Sequence, residues 1–144
     1  MTDLEQAKMR LAEGGFSCVV VRNGKETVSL ERGVKPLLDW LQQDNRFFAE
    51  ASVADKVIGK AAAMLFVKAN VKAVFAKTLS LAGRDYLDQH GIPVTFETLT
   101  ERIMNREQTD VCPMERAVAD TDDVDEGCRI LQITLNEVRR KSKP

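Results

Sequence analysis

The sequence predicts an α/β fold, a three-layer α-β-α sandwich built on a mixed sheet. Segments rich in β-branched and aromatic residues alternate along the chain with segments of helical period. Asn23-Gly24 separates two strand-like runs near the N-terminus, which is a strong local signal for an antiparallel hairpin. The later strands are each separated by a helix, as parallel pairing requires. A hairpin followed by βαβ units predicts a mixed sheet with helices on both faces.

The first third of the chain predicts a helix, the hairpin and a second helix. Apolar residues recur at helical spacing over 3–13, and two glycines then end that helix. The hairpin strands are predicted at 16–22 and 27–30. The second helix is predicted at 34–42, because a proline in the first turn favours a helix start.

The central part of the chain predicts a strand, a buried helix and a second strand. The apolar run at 47–53 predicts a strand. Asp55 is then expected to cap a helix over 56–69. That helix is apolar nearly all round, so most of its circumference should be buried. A short strand at 72–76 follows.

The last part of the chain predicts one more strand among three helices. In order, we expect a helix at 79–89, a strand at 94–97, a polar stretch at 100–111, a short helix from Pro113 and a longer helix at 123–140. Gly91 is expected to end the first of these helices. The whole order is α-β-β-α-β-α-β-α-β-α-α. We expect one domain over 1–140 and a disordered basic tail at 141–144.

Composition and charge exclude several classes of partner. The chain has 144 residues, of which 44% are apolar and 30% charged, the balance of a globular protein. Its formal net charge is −1, from 21 basic and 22 acidic residues, which argues against nonspecific binding to nucleic acid or to an anionic membrane. No apolar run reaches the roughly 18–20 residues that span a bilayer. The polar, acidic N-terminus does not resemble a signal peptide, so a cytoplasmic location is expected.

Cysteine and histidine usage argues against a metal site. Cys18, Cys112 and Cys128 are far apart and odd in number, so we interpret them as reduced thiols. His90 is a single histidine and cannot supply a cluster of imidazole ligands. No metal and no cofactor are therefore expected.

Three stretches of the chain are distinctive, DKVIGKAAA at 55–63, GIPVTF at 91–96 and NREQTDVCPME at 105–115. They resemble a prokaryotic family of domains of unknown function, numbered 1893, that has a cytidine-deaminase-like fold. The last stretch is the most specific, and the resemblance covers nearly the whole chain. It implies a cytidine-deaminase-like sandwich for this sequence.

The resemblance also implies that deaminase chemistry is absent. Deaminases of this fold hold zinc with His-x-Glu at a helix start and Pro-Cys-x-x-Cys at the next strand-to-helix turn. The corresponding positions here read KAA at 60–62 and KTLSL at 77–81. Without zinc there is no acidic bound water to attack a base, so zinc-dependent deamination is not expected.

The first candidate site is the predicted start of the buried helix, with Asp55, Gly59 and Lys60 as ligand-binding residues. Helix N-termini offer unpaired N–H groups and a partial positive charge, and a lysine adds a full charge for phosphate or carboxylate. Gly59 would allow close approach of a ligand. The alternative is that Asp55 only caps the helix and that the lysines form a solvated stripe.

The second candidate site is Cys112 with Glu115. Pro113 at the first helical position makes Cys112 the cap, and Glu115 can then reach back to the cap N–H. A thiol at a helix start is generally more acidic, so Cys112 is a candidate catalytic thiolate. Against this, no second histidine is present as a base, and free cysteines are often small buried apolar residues.

The third candidate site is a polar loop with Asn105, Arg106 and Thr109 as ligand-binding residues. The planar fork of arginine suits carboxylate or phosphate. The alternative is that the arginine ties the loop to the sheet.

Three functions follow from these candidates. The favoured one is a zinc-free deaminase-like domain that binds a small anionic metabolite, nucleotide-like molecules included. The first alternative is an enzyme that uses Cys112 as an activated thiolate, and the second is a non-catalytic interaction module. A homodimer is compatible with this class of sheet.

Overall fold

A computed structural model of the 144-residue chain describes residues 1–31, 33–105 and 107–142. The order of helices and strands agrees with the order that the sequence predicts. The elements are α1 (Asp3–Gly14), β1 (Cys18–Arg22), β2 (Lys25–Ser29), α2 (Lys35–Gln43), β3 (Ser52–Ile58), α3 (Lys60–Ala69), β4 (Ala73–Ser80), α4 (Leu81–Gln89), β5 (Val94–Thr100), α5 (Pro113–Val118) and α6 (Val124–Ser142).

The sheet is mixed, and its strands lie in the order β2-β1-β3-β4-β5. β1 pairs antiparallel with both β2 and β3, whereas β3, β4 and β5 run parallel. Asn23 and Gly24 form the hairpin turn with φ of 52° and 80°, the positive values that a two-residue turn of this type requires. The predicted mixed sheet with an N-terminal antiparallel hairpin is confirmed.

Helices cover the two faces of the sheet unequally. On one face, α1 buries Ala7 and Leu11 against Val19, Ala54 and Phe75 of the strands. On the other face, α3 lies in the larger core and packs against α4, α5 and α6. Seven of its ten residues are buried, as its nearly continuous apolar surface predicts. The predicted three-layer sandwich is therefore confirmed.

The predicted strand at 47–53 and the predicted helix at 56–69 are wrong in their bounds. β3 is Ser52–Ile58, and α3 begins only at Lys60, after Gly59. β3 lies in the middle of the sheet and pairs on both sides, so ladder hydrogen bonds hold it extended through two exposed positions. Phe47 instead precedes the strand and stacks on Trp40 in an aromatic cluster, with ring centroids 5.1 Å apart.

Other boundaries shift by a few residues. β4 runs to Ser80, and the Ser80 hydroxyl accepts a hydrogen bond from the Gly83 N–H as the N-cap of α4. Gly91 has a φ of 73° just past α4, the left-handed conformation expected of a glycine at a helix end. α6 includes 141 and 142, which the sequence placed in a disordered tail, and 143 and 144 lie outside the described residues.

Asp55 is a buried strand residue and not the helix cap that the sequence predicts. It lies opposite Cys18 across the β1–β3 ladder and is 8% exposed. Its carboxyl accepts a hydrogen bond from the Val57 N–H at 3.4 Å. Burial raises the pKa of Asp55 to about 7, and the hydrogen bonds that it accepts only partly oppose this. Burial, with a smaller contribution from Asp55, also raises the pKa of Cys18.

Two glycines let the starts of α3 and α4 approach each other. A Cβ at Gly83 would lie 2.9 Å from the carbonyl carbon of Gly59, which is closer than packed atoms tolerate. The contact is with backbone, so no side-chain rotation can relieve it. Glycine is therefore required at Gly83 by packing and not by backbone conformation.

The buried Asp55 should make stability depend on pH. Its folded pKa of about 7 lies above the ordinary 3.8, so the folded state binds the proton more tightly than the unfolded state. Stability from this group is fully present below the ordinary pKa and is lost as pH rises through about 7. We expect wild type to lose roughly 2 kcal/mol relative to Asp55→Asn between about pH 5 and about pH 8. Urea unfolding of both proteins across that range measures it, and parallel profiles would contradict it.

The packing at Gly83 can be tested by a matched pair of substitutions. In Gly83→Ala the new methyl group meets backbone, so we expect a loss of about 1–3 kcal/mol in the free energy of unfolding. In Gly127→Ala, within α6, the methyl group meets only the flexible end of the Met64 side chain. At this position the helix propensity of alanine is better than that of glycine by about 1 kcal/mol, which offsets the cost of moving the Met64 side chain. Equal losses in the two variants would show that the backbone contact is not the cause.

Candidate functional site

A cleft of about 360 Å³ lies where the three parallel strands end. Lys60 follows β3, Ser80 ends β4, and Arg102 follows β5, and all three line the cleft. The remaining wall comes from the loop after β5 and from α5, which contributes Glu115 and Arg116. The carboxyl ends of parallel strands are where ligands bind in open α/β sheets.

The N-terminus of α3 is capped by a side chain from α5. Glu115 Oε1 accepts a hydrogen bond from the Lys60 N–H, and Oε2 accepts one from the Ala61 N–H, both at 2.8 Å. A Cβ at Gly59 would overlap with this carboxylate, so glycine is needed there. Burial raises the pKa of Glu115, and the two N–H donors and the Lys60 charge oppose that shift. The anion site that the sequence predicts at this helix start is thus occupied by a carboxylate of the chain itself.

The Lys60 side chain connects α3 to the loop between α5 and α6. It is only 11% exposed, and its ammonium lies 3.0 Å from Asp122 Oδ1. It also donates a hydrogen bond to the Ala119 carbonyl at 3.3 Å. The Tyr86 hydroxyl donates to the Asp122 carbonyl at 2.9 Å and holds the same loop. The charge of Lys60 therefore has a partner within the protein.

The loop between β5 and α5 is organised by its own polar groups. An isolated bridge pairs Met104 with Val111, and the Asn105 N–H donates to the Asp110 carbonyl. Asn105 and Thr109 exchange two hydrogen bonds, at 3.1 and 3.0 Å. These two predicted ligand-binding residues stabilise the loop and do not belong to the cleft lining. Arg106, the third residue of that prediction, lies outside the described residues.

Two arginines line the cleft, one on the loop after β5 and one on α5. Arg116 of α5 is exposed and forms an ion pair with Asp110 at 2.5 Å. Arg102 is also exposed and forms no ion pair with any residue that the structure describes. Its guanidinium is therefore available to a ligand.

Cys112 is the half-buried N-cap of α5, as the sequence predicts, but it is not part of the cleft lining. Its side chain makes no capping hydrogen bond, and it packs against the larger core. His90 lies at the end of α4, where its ring packs on Tyr86 with centroids 4.4 Å apart. No described contact gives the thiol a base.

The structure brings Gly59, Lys60 and Glu115 together, and it places Asp55, Asn105, Thr109 and Cys112 outside the cleft lining. The sequence reasoning missed Ser80, Arg102 and Arg116. Ser80 and Arg102 follow from one rule, since each stands at or just after the end of a parallel strand. Correct ends for β4 and β5 would have identified both.

The residues at the cleft do not fit a zinc ion. Among the described residues, those that line the cleft include no histidine and no cysteine, which are common zinc ligands. Glu115 lines the cleft, but both of its carboxylate oxygens already accept backbone hydrogen bonds. Among the residues that the structure describes, no three His, Cys, Asp or Glu side chains are grouped to hold a metal. Within the same part of the chain, no helix is both long and apolar enough to cross a membrane.

Comparison with known proteins gives a family and a fold. The family model "TM1506: domain of unknown function (DUF1893)" matches residues 6–135. A solved DUF1893 family protein (TM1506) from Thermotoga maritima superposes with a TM-score of 0.80 at 23% identity, over 95% of this chain and 91% of that one. RibD from Acinetobacter baumannii superposes with a TM-score of 0.46 at 20% identity, over 65% of this chain and 34% of that one. No curated protein matches the sequence. Because the family model spans nearly all of its length, the chain belongs to the DUF1893 family of domains of unknown function.

Proposed function

We propose that this chain is a zinc-free domain that binds a small anionic ligand in the cleft at the ends of β3, β4 and β5. One observation carries the proposal: Arg102, which forms no ion pair with any described residue, lines the same cleft as Arg116 and Lys60. A cation without an ion pair at the carboxyl end of a parallel strand favours an acidic ligand there.

Arg102 supplies the main contact in this proposal. A guanidinium offers two parallel N–H donors that match a carboxylate or a phosphate. Arg116 supplies the second contact, because its pair with Asp110 is exposed and such pairs contribute little. Its guanidinium can therefore turn from Asp110 to a ligand at small cost. Ser80 lies in the cleft floor, nearly fully buried, with a hydroxyl that already accepts from α4 and can still donate.

In this proposal Glu115 and Lys60 position the α5 side of the site. The sequence predicted that both bind the ligand, but here each contacts another part of the chain instead. Glu115 fixes α5 against α3, and Lys60 fixes the loop after α5 through Asp122. The α5 side of the cleft is thereby held before any ligand arrives, which lowers the ordering cost of binding.

The alternative of an enzyme with a Cys112 nucleophile receives no support from the arrangement. The thiol does not line the cleft, and His90 belongs to the far end of a different helix. Deamination likewise receives no support, because no group of described His, Cys, Asp or Glu side chains is placed to hold the zinc that it needs. Binding without catalysis is the function that the geometry favours.

Ligand binding can be tested by thermal shift on the full chain with inorganic phosphate, acetate and adenosine 5′-monophosphate. A ligand that binds only the folded state raises Tm with concentration. We expect at least one of these anions to do so at millimolar concentration, with an effect that weakens as salt is added. Arg102→Gln should weaken that binding about tenfold or more, because a hydrogen bond between charged groups contributes roughly 1.5–3 kcal/mol.

Arg140→Gln is the matched control for that experiment. Arg140 is exposed near the end of α6, roughly 24 Å along the helix from Val124. No described residue of α6 lines the cleft. Its replacement removes the same charge and should leave the Tm shift unchanged. If no anion raises Tm, or if the two variants bind alike, the cleft is not an anion site.

The capping role of Glu115 can be tested without a ligand. In Glu115→Gln an amide donor faces one of the two α3 N–H groups, so one hydrogen bond is lost and two donors oppose each other. We expect the free energy of unfolding to fall by about 1–3 kcal/mol in urea titrations. Glu137→Gln, on the exposed side of α6, removes the same charge and should change stability by less than about 0.5 kcal/mol. Equal stability of wild type and Glu115→Gln would refute the cap.

A further inference from the structure

We infer that the ligand carries one acidic group on a compact, uncharged body, and that polyphosphates and polycarboxylates are excluded. This inference rests on the proposed function and specifies its ligand class. It follows from the charge balance of the cleft, from its apolar wall and from its volume.

The positive charge of the cleft is already largely neutralised. Lys60 lies 3.0 Å from Asp122, and Arg116 lies 2.5 Å from Asp110. Arg102 alone among the three cleft cations has no ion pair with a described residue. Arg102 can therefore bind an acidic group without giving up an ion pair, whereas Arg116 must first leave Asp110, so a single acidic group is the best match.

Two carboxylates in the cleft lining oppose any further negative charge. Glu101 follows β5 directly and stands next to Arg102 in the chain. Glu115 is fixed by its hydrogen bonds to α3 and cannot turn away without uncapping that helix. A ligand with three or four negative charges would face both carboxylates while one free guanidinium held it. Like charges at such separations disfavour binding.

The rest of the lining suits an uncharged body. Ala82, Ile103, Val111 and Ala119 contribute apolar surface between the charged groups. Burial of an apolar or aromatic ligand surface against them adds affinity that a bare inorganic anion cannot gain. The volume of about 360 Å³ lies near the lower end of the range for small-molecule sites, about 300–1,000 Å³, so the body must be compact.

Two matched ligand series test the inference by calorimetric titration of the full chain, without divalent cations and at constant ionic strength. Adenosine 5′-monophosphate and 5′-triphosphate share a body and differ in charge, as do benzoate and benzene-1,3,5-tricarboxylate. Inorganic phosphate and acetate carry the acidic group alone, so they measure how tightly it binds without the uncharged part of the ligand. We expect the singly acidic member of at least one series to bind at least tenfold more tightly than its polyanionic counterpart and its bare anion. The series that responds identifies the acidic group as phosphate or carboxylate.

Replacing a carboxylate of the cleft wall tests directly whether that charge excludes polyanions. Glu101→Gln should strengthen binding of the polyanionic members at least threefold and leave the singly acidic members within about twofold of wild type. Glu137→Gln, the matched control away from the cleft, should change neither. Tighter binding of the polyanions to wild type would overturn this inference and leave the proposed function standing. Absence of binding by every probe would overturn both.

Discussion

The hydrogen bonds from the α3 N-terminus to Glu115 are the contact on which the rest of the site depends. They join α5 to the most buried helix of the fold, and they require glycine at Gly59 because the carboxylate lies against it. Lys60 adds a second link through Asp122. The loop after β5 enters α5, so its position relative to the strand ends is set by the same contact. The partial positive charge of the helix start stabilises the carboxylate and thereby offsets part of its burial.

This cap also determines where a ligand can bind. A helix start at the end of a parallel strand is the usual anion site of an α/β sheet, and here the chain occupies it with its own carboxylate. In the proposed function, ligand binding therefore falls to Arg102 on the loop after β5 and to Arg116 on α5.

Local patterns were sufficient for the architecture. The Asn23-Gly24 turn fixed the hairpin, and the nearly continuous apolar surface of α3 predicted its burial, because both signals lie within a few residues of the structure that they describe. β3 was misplaced for a physical reason. Asp55 followed by a lysine looks like a helix start, but strand pairing on both sides buries Asp55 opposite Cys18 and keeps the backbone extended. Tertiary pairing outweighed the local capping preference.

The sequence analysis singled out two residues of the cleft, but it could not show that they contact each other. Lys60 and Glu115 were each singled out from their own helix starts, yet 55 residues separate them, and spacing within either helix cannot show that one caps the other. Neither residue is free to bind a ligand, because the Glu115 carboxylate accepts hydrogen bonds from α3 and the Lys60 ammonium pairs with Asp122. In the proposed function, recognition of a ligand therefore falls mainly to Arg102. Its position just past β5 was missed because the sequence predicted that the strand ends at 97. Placing the strand ends correctly matters more for finding this site than recognising any motif.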